Sequence, residues 1–173
     1  MTDSQLHWKA FGEVELTHSN AHYLMAIAEL LEANGYARAI DVSRHLDLTR
    51  GSVSAALTSL EEKGYITTDQ NKFLQLTDQG IDAVNNVFSA RRILTQFFSE
   101  VLGVNEDLAE EDACKIEHLV SHETGEKLMS FLGFYLSESP VAREFREEFT
   151  RFAYTCDAAD NCHICENRCY FHG

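Results

Sequence analysis

The run Cys114-Lys115-Ile116-Glu117-His118 places a thiol, a carboxylate and an imidazole within one short segment. The segment reads as helical, and residues three and four apart share one helix face. The three groups should therefore project from one patch about one turn long. Sulfur and nitrogen donors together suit a borderline divalent transition metal, whereas calcium and magnesium take oxygen. No catalytic triad can be built from the run, so it reads as a metal-sensing site. Singly, each residue has a plainer use: Cys114 as a small core residue, Glu117 and His118 as solvated surface.

A second set of thiols lies near the C-terminus. Cys156, Cys162, Cys165 and Cys169 give C-x5-C-x2-C-x3-C. Four thiolates this close can surround an iron–sulfur cluster or a zinc ion. Structural zinc sites usually use two separated C-x-x-C knuckles, and only Cys162 to Cys165 is one here. The spacing favours a 4Fe–4S cluster first and zinc second. Disulfides or free thiols are the plainer reading. No βαβ pattern surrounds the knuckle, which sets aside a thioredoxin-like use.

The elements that must carry these groups follow from periodicity. Ser19 or Asn20 can cap a first helix through Tyr23, Leu24, Ile27, Leu30 and Leu31, stopped at Gly35. A short helix over 37–46 and a tight turn at Asp47-Leu48-Thr49 follow. A third helix, 50–63, carries Val53, Leu57 and Leu60 and ends at Gly64. Segments 65–68 and 73–76 flank the polar Asp69-Gln70-Asn71-Lys72, a β-hairpin signal. Three helices and a hairpin make a winged helix-turn-helix. Beyond Thr77 the pattern is helical: a long helix broken at Gly103, the Cys114 helix over about 107–120, another over 123–136, and a last one opened by Ser139-Pro140. The fold class expected is mainly α with a small hairpin. Its parts are an arm over 1–18, a winged helix-turn-helix over 19–78, an all-helical metal-binding and dimerisation domain over 79–154, and a Cys-rich tail over 155–173. The excess of Phe and Leu on the later helices suggests a homodimer surface, with plain core packing the alternative.

Composition narrows the function class. The net charge of −14 argues against casual nucleic-acid binding. The acidity is uneven, however: 36–72 holds five basic and five acidic residues, whereas 100–127 holds nine acids against Lys115 and Lys127. No apolar run has the length of a membrane span, and the N-terminus lacks a signal-peptide pattern, so a cytoplasmic protein with no membrane partner is expected. In that compartment the five cysteines suit metal or redox roles better than disulfides.

With C-x-x-E-H downstream of a winged helix, the chain resembles the diphtheria-toxin-repressor family of metal-dependent transcriptional regulators, which includes manganese-transport regulators. The likeness rests on Ala21-His22-Tyr23-Leu24, Gly51-Ser52-Val53-Ser54, Leu74-Gln75-Leu76-Thr77 and 112–118. It implies a metal site of His22, Cys114, Glu117 and His118, linking the first helix to the dimerisation domain. The family usually has methionine or aspartate where His22 stands, and manganese sensors carry a carboxylate where Cys114 stands. The thiol resembles the iron-sensing branch and favours Fe(II), Co, Ni or Zn over Mn(II). The family's second metal site uses a histidine and a glutamate on the long helix. The matching positions are Arg91 and Thr95, and a further histidine position is Glu110. A cation cannot ligate a cation, so Arg91 is expected to supply the positive charge instead.

The resemblance also implies an operator on double-stranded DNA. Thr49, Arg50, Ser52 and Ser54 open the recognition helix, where short hydroxyls and a helix N-terminus suit phosphate contact. Arg44, Lys63 and Lys72 are further phosphate candidates, each also readable as ordinary surface. Ala55 stands where the family often has glutamine, and can touch only a thymine methyl. The expected function is a metal-dependent regulator of metal-ion homeostasis, responsive to Fe(II), and not an enzyme. Alternatives are a manganese- or redox-responsive regulator, and a metal- or redox-handling protein that uses its winged helix for protein interaction.

Overall fold

The computed structural model describes residues 16–152. The four tail cysteines and the apolar residues of the arm before Leu16 lie outside the described residues. Helix α1 (His18–Asn34) ends at Gly35, whose φ of 76° is the left-handed cap that glycine adopts without a Cβ penalty. Helix α2 (Ala39–His45) and helix α3 (Arg50–Glu62) follow, joined through Asp47 at positive φ. Strands β1 (Ile66–Thr68) and β2 (Leu74–Leu76) pair antiparallel, Ile66 opposite Leu76. The Asp69 carboxylate accepts from the backbone N–H of Asn71 and Phe73, each at 2.8 Å, and so closes the hairpin turn.

The long helix is α4 (Asp78–Gln96), extended by a π turn over Phe97–Val101. Helix α5 (Glu106–Ile116), a 3-10 turn at Glu117–Leu119, α6 (His122–Tyr135) and α7 (Pro140–Arg151) complete the order. The chain divides into two compact units after Leu132. In the first, Leu24, Ile27, Val42, Val53, Leu60, Ile66 and Leu74 form the principal core. Burying each of these side chains contributes about 1.5–3 kcal/mol. In the second, Phe145 packs edge-on against Phe134 and Tyr135, and Arg146 donates to the carbonyls of Tyr135 and Ser137.

The joint between hairpin and long helix is tight. The Thr77 hydroxyl donates to the carbonyls of Gly64 (2.7 Å) and Tyr65 (3.1 Å), and accepts from the Gly80 N–H at 3.1 Å. A Cβ on Gly80 would lie 2.1 Å from the Tyr65 carbonyl oxygen. Gly80→Ala is therefore expected to destabilise by about 1–3 kcal/mol through overpacking. Gly125→Ala, with open space around it, should stabilise by up to about 1 kcal/mol through helix propensity. Urea unfolding of the two variants checks the contrast; equal midpoints would contradict it.

Candidate metal centre

Thr17 sets where the site begins. Its side chain accepts from the Asn20 N–H, so α1 starts at His18 and Asn20 is buried inside the first turn. The expected cap at Ser19 or Asn20 is corrected, because Thr17 already has extended backbone and the right reach. His18 and His22 consequently stand one turn apart on one helix face, their ring centroids 4.5 Å apart.

The opposing wall is the end of α5. Cys114 lies in its last turn, and the α-helix stops at Ile116, where the backbone turns to φ −119° and ψ −10°. Glu117 and His118 sit in the 3-10 turn beyond. The expectation of one continuous helix over 107–120 is corrected here: about 120° per residue replaces about 100°. Glu117 is thereby turned inward, its carboxylate fully buried. His118 is half-buried, and its Nδ1 is buried with no hydrogen-bond partner.

Cys114 Sγ lies 3.4 Å from His22 Nε2, joining residues 92 positions apart. Ligand atoms around one tetrahedral ion are separated by about 3.5 Å, given metal–nitrogen and metal–sulfur bonds near 2.1 and 2.3 Å. Among the described residues, His18, His22 and Cys114 hold one ligand atom each within 4.8 Å of one another. His118 adjoins the group through His18, at 5.0 Å between ring centroids. Glu117 faces elsewhere. Arg91 on α4 donates Nε to Oε2 at 2.5 Å and Nη2 to Oε1 at 2.8 Å, occupying both carboxylate oxygens. The same Nη2 reaches Cys114 Sγ at 3.5 Å and Met25 Sδ at 3.7 Å. Met25 is itself buried and packs with Ala21 and Val87. The residues thus fit a thiolate-and-imidazole metal site, with a guanidinium lodged behind it.

Electrostatics prepare the imidazoles. Burial pushes the His22 pKa below its ordinary 6.5, and His18 and Arg91 push it the same way, against Glu117 and Glu29. His118 is lowered by burial, then by His18 and more weakly by His22, with Glu117 opposing. Both shifts favour the neutral ring, the form that binds metal. The unfolded chain takes up protons on these residues at higher pH than the folded one does. Stability is thus full above pH 6.5 and falls as the pH drops below it. Thermal unfolding of metal-free protein on either side of that pH should show the loss. His22→Gln combined with His118→Gln should flatten the dependence.

His18 is the residue that the motif-based reading passed over. Its signal was the spacing His18-Ser19-Asn20-Ala21-His22, two imidazoles one helical turn apart.

Comparison with known proteins places this geometry in a context. Residues 15–74 match the family model "Iron dependent repressor, N-terminal DNA binding domain". Residues 77–141 match "Iron dependent repressor, metal binding and dimerisation domain". The chain belongs to the iron-dependent repressor family. Its relatives in the iron-dependent repressor family include the HTH-type transcriptional regulator MntR of Geobacillus thermodenitrificans, 30% identical over 105 residues, 61% of this chain and 74% of that one. The diphtheria toxin repressor of Corynebacterium diphtheriae is 23% identical over 118 residues, 68% of this chain and 52% of that one. The crystal structure of T. acidophilum IdeR superposes with a TM-score of 0.55 at 26% identity, covering 65% of this chain and 53% of that chain. The chain thus spans about half the length of the latter two. Members of the iron-dependent repressor family are transcriptional regulators, not enzymes. Among the described residues, no helix is long and apolar enough to cross a membrane.

The residues expected from the sequence to contact DNA all lie within or beside the match to the N-terminal DNA-binding model. Thr49 caps α3, its hydroxyl accepting from the Ser52 N–H at 3.2 Å and bonded to the Ser52 hydroxyl at 2.9 Å. Arg50, Ser52, Ser54 and Ala55 lie on the exposed side of α3, while Val53, Leu57 and Leu60 are buried beneath. Arg44 and Lys63 are exposed at the ends of α2 and α3, and Lys72 is exposed in the hairpin turn. Arg38, the exposed residue preceding α2, has its guanidinium 4.1 Å from the Phe73 ring centroid.

Proposed function

We propose that this chain is a metal-dependent DNA-binding transcriptional regulator of metal-ion homeostasis, responsive to Fe(II), with Mn(II) the alternative ion. The observation that carries this reading is the 3.4 Å approach of His22 and Cys114. It joins the first helix of the DNA-binding segment to the metal-binding segment. When bound, the metal would supply a crosslink between these donors. His22 from α1, with Cys114 and His118 from the opposing wall, would hold it. Glu117, the fourth residue of the expected set, could join only on release from Arg91.

A site assembled from both segments has its full ligand set in one relative arrangement only. Such a site can shift the equilibrium between arrangements by its difference in affinity for them. Moving a population from 1:99 to 99:1 takes about 5.5 kcal/mol, within reach of a multidentate site. In a two-fold homodimer that arrangement would set two recognition helices about 34 Å apart, in successive major grooves of operator DNA. Arg50, Ser52 and Ser54 would then face the duplex, with Arg44, Lys63 and Lys72 on phosphates. Thr49 would act mainly as the cap that fixes the helix start.

The tail cysteines Cys156, Cys162, Cys165 and Cys169 are assigned, on spacing alone, to an iron–sulfur cluster or a zinc ion. Anaerobic elemental analysis for iron, zinc and sulfide separates these.

The function is tested by a gel shift on DNA upstream of iron- and manganese-uptake genes, run anaerobically. Retardation with Fe(II) that a chelator reverses is the result expected. Equal retardation with and without metal would overturn the reading.

A further inference from the structure

We infer that the ion of this chain is held by Cys114, His22, His18 and His118, while Arg91 acts as a built-in cation that keeps Glu117 out of the ligand set. The inference deepens the proposed function and rests on it.

Three observations converge. His18, His22 and Cys114 are the described residues whose ligand atoms already cluster within 4.8 Å, without rotation of any side chain toward Glu117. His118 stands against His18 and has a buried ring nitrogen lacking a partner, a state that buried polar atoms rarely keep. Glu117 spends both oxygens on Arg91 and is fully buried. Withdrawing it toward an ion would strand a guanidinium beside a dication, and a broken buried pair is strongly unfavourable. His18 is exposed and one turn from His22, with its ring already beside those of His22 and His118.

Charge supports the same partition. A thiolate and a dication leave one net positive charge, and the Arg91–Glu117 pair adds none. Three imidazoles and one thiolate form a closed four-coordinate set rich in nitrogen and sulfur. Such a set ranks Mn(II) last among the first-row divalent ions and favours Co(II), Ni(II) and Zn(II), with Fe(II) between.

The test uses cobalt as the probe. The full chain carries Cys156→Ser, Cys162→Ser, Cys165→Ser and Cys169→Ser, so that the tail takes up none. One Co(II) per chain should bind, with the intense visible bands of a four-coordinate ion and a thiolate charge-transfer band. His18→Ala should weaken binding at least about tenfold and collapse the visible bands. Glu117→Gln should leave the cobalt spectrum unchanged. A His18→Ala spectrum and affinity matching the parent, or a Glu117→Gln spectrum that loses its four-coordinate character, would overturn this ligand set and leave the proposed function standing. A parent that takes up no cobalt would overturn both.

Discussion

Replacing His118 by alanine should abolish metal-dependent operator binding and leave the fold intact. The ring sits in the 3-10 turn after α5, half-buried, with Nδ1 unsatisfied. Its removal breaks no hydrogen bond among those its buried nitrogen could make, so the cost in stability is small. The cost in metal affinity is large, since even supporting residues around a metal contribute tenfold to a hundredfold. Metal would then no longer distinguish the two arrangements, and operator affinity in saturating Fe(II) should equal that of the metal-free protein. His122→Ala is the matched control: its ring is exposed and faces Glu126 at 3.5 Å, and it is not among the clustered donors. Anaerobic fluorescence anisotropy on labelled operator reads both variants. Unchanged metal dependence in His118→Ala would show the site to be misassigned.

Arg91→Ala should produce the largest loss of stability of any single change at the centre. It leaves the Glu117 carboxylate buried with neither of its two hydrogen bonds from Arg91, and such changes cost about 3–5 kcal/mol. The Arg91 side chain is itself only 23% exposed, so solvent cannot substitute fully. Arg91→Ala together with Glu117→Leu should recover much of the loss, because the stranded charge is gone. A bound divalent ion should stabilise Arg91→Ala more than the parent, since the freed carboxylate becomes an extra donor. Urea unfolding of the parent, the single variant and the double variant, each with and without Zn(II), gives these values. A loss below about 1 kcal/mol would mean that the pair behaves like an ordinary surface ion pair.

The winged helix was legible because local rules and burial agree there. Val53, Leu57 and Leu60 recur at helical spacing and are buried, and Gly35 and Gly64 take the positive φ that a stop requires. Helix starts were less legible. Thr17, Ser19 and Asn20 are all competent caps, and the extended backbone and reach of Thr17 decide among them. That two-residue shift is why His18 went unnoticed: a histidine before a helix has no partner, whereas at its first position it faces His22. The proximity of His22 to Cys114 came from family likeness, since no local pattern links positions so far apart. The α-to-3-10 change at Ile116 was invisible for a related reason. The partner that meets the inward-turned Glu117 is Arg91, on another helix.

A guanidinium cannot be chelated. Metal starvation would strip any ion from the outer thiol and imidazoles, yet the Arg91 charge would remain with Glu117 already engaged. In the proposed switch the Arg91–Glu117 pair, both members within the metal-binding segment, would stay assembled in depleted protein, and each return of metal would have only the thiol and imidazoles to gather. A response of this kind should follow a simple one-ion dose curve, without the steepness that two mutually dependent ions would give.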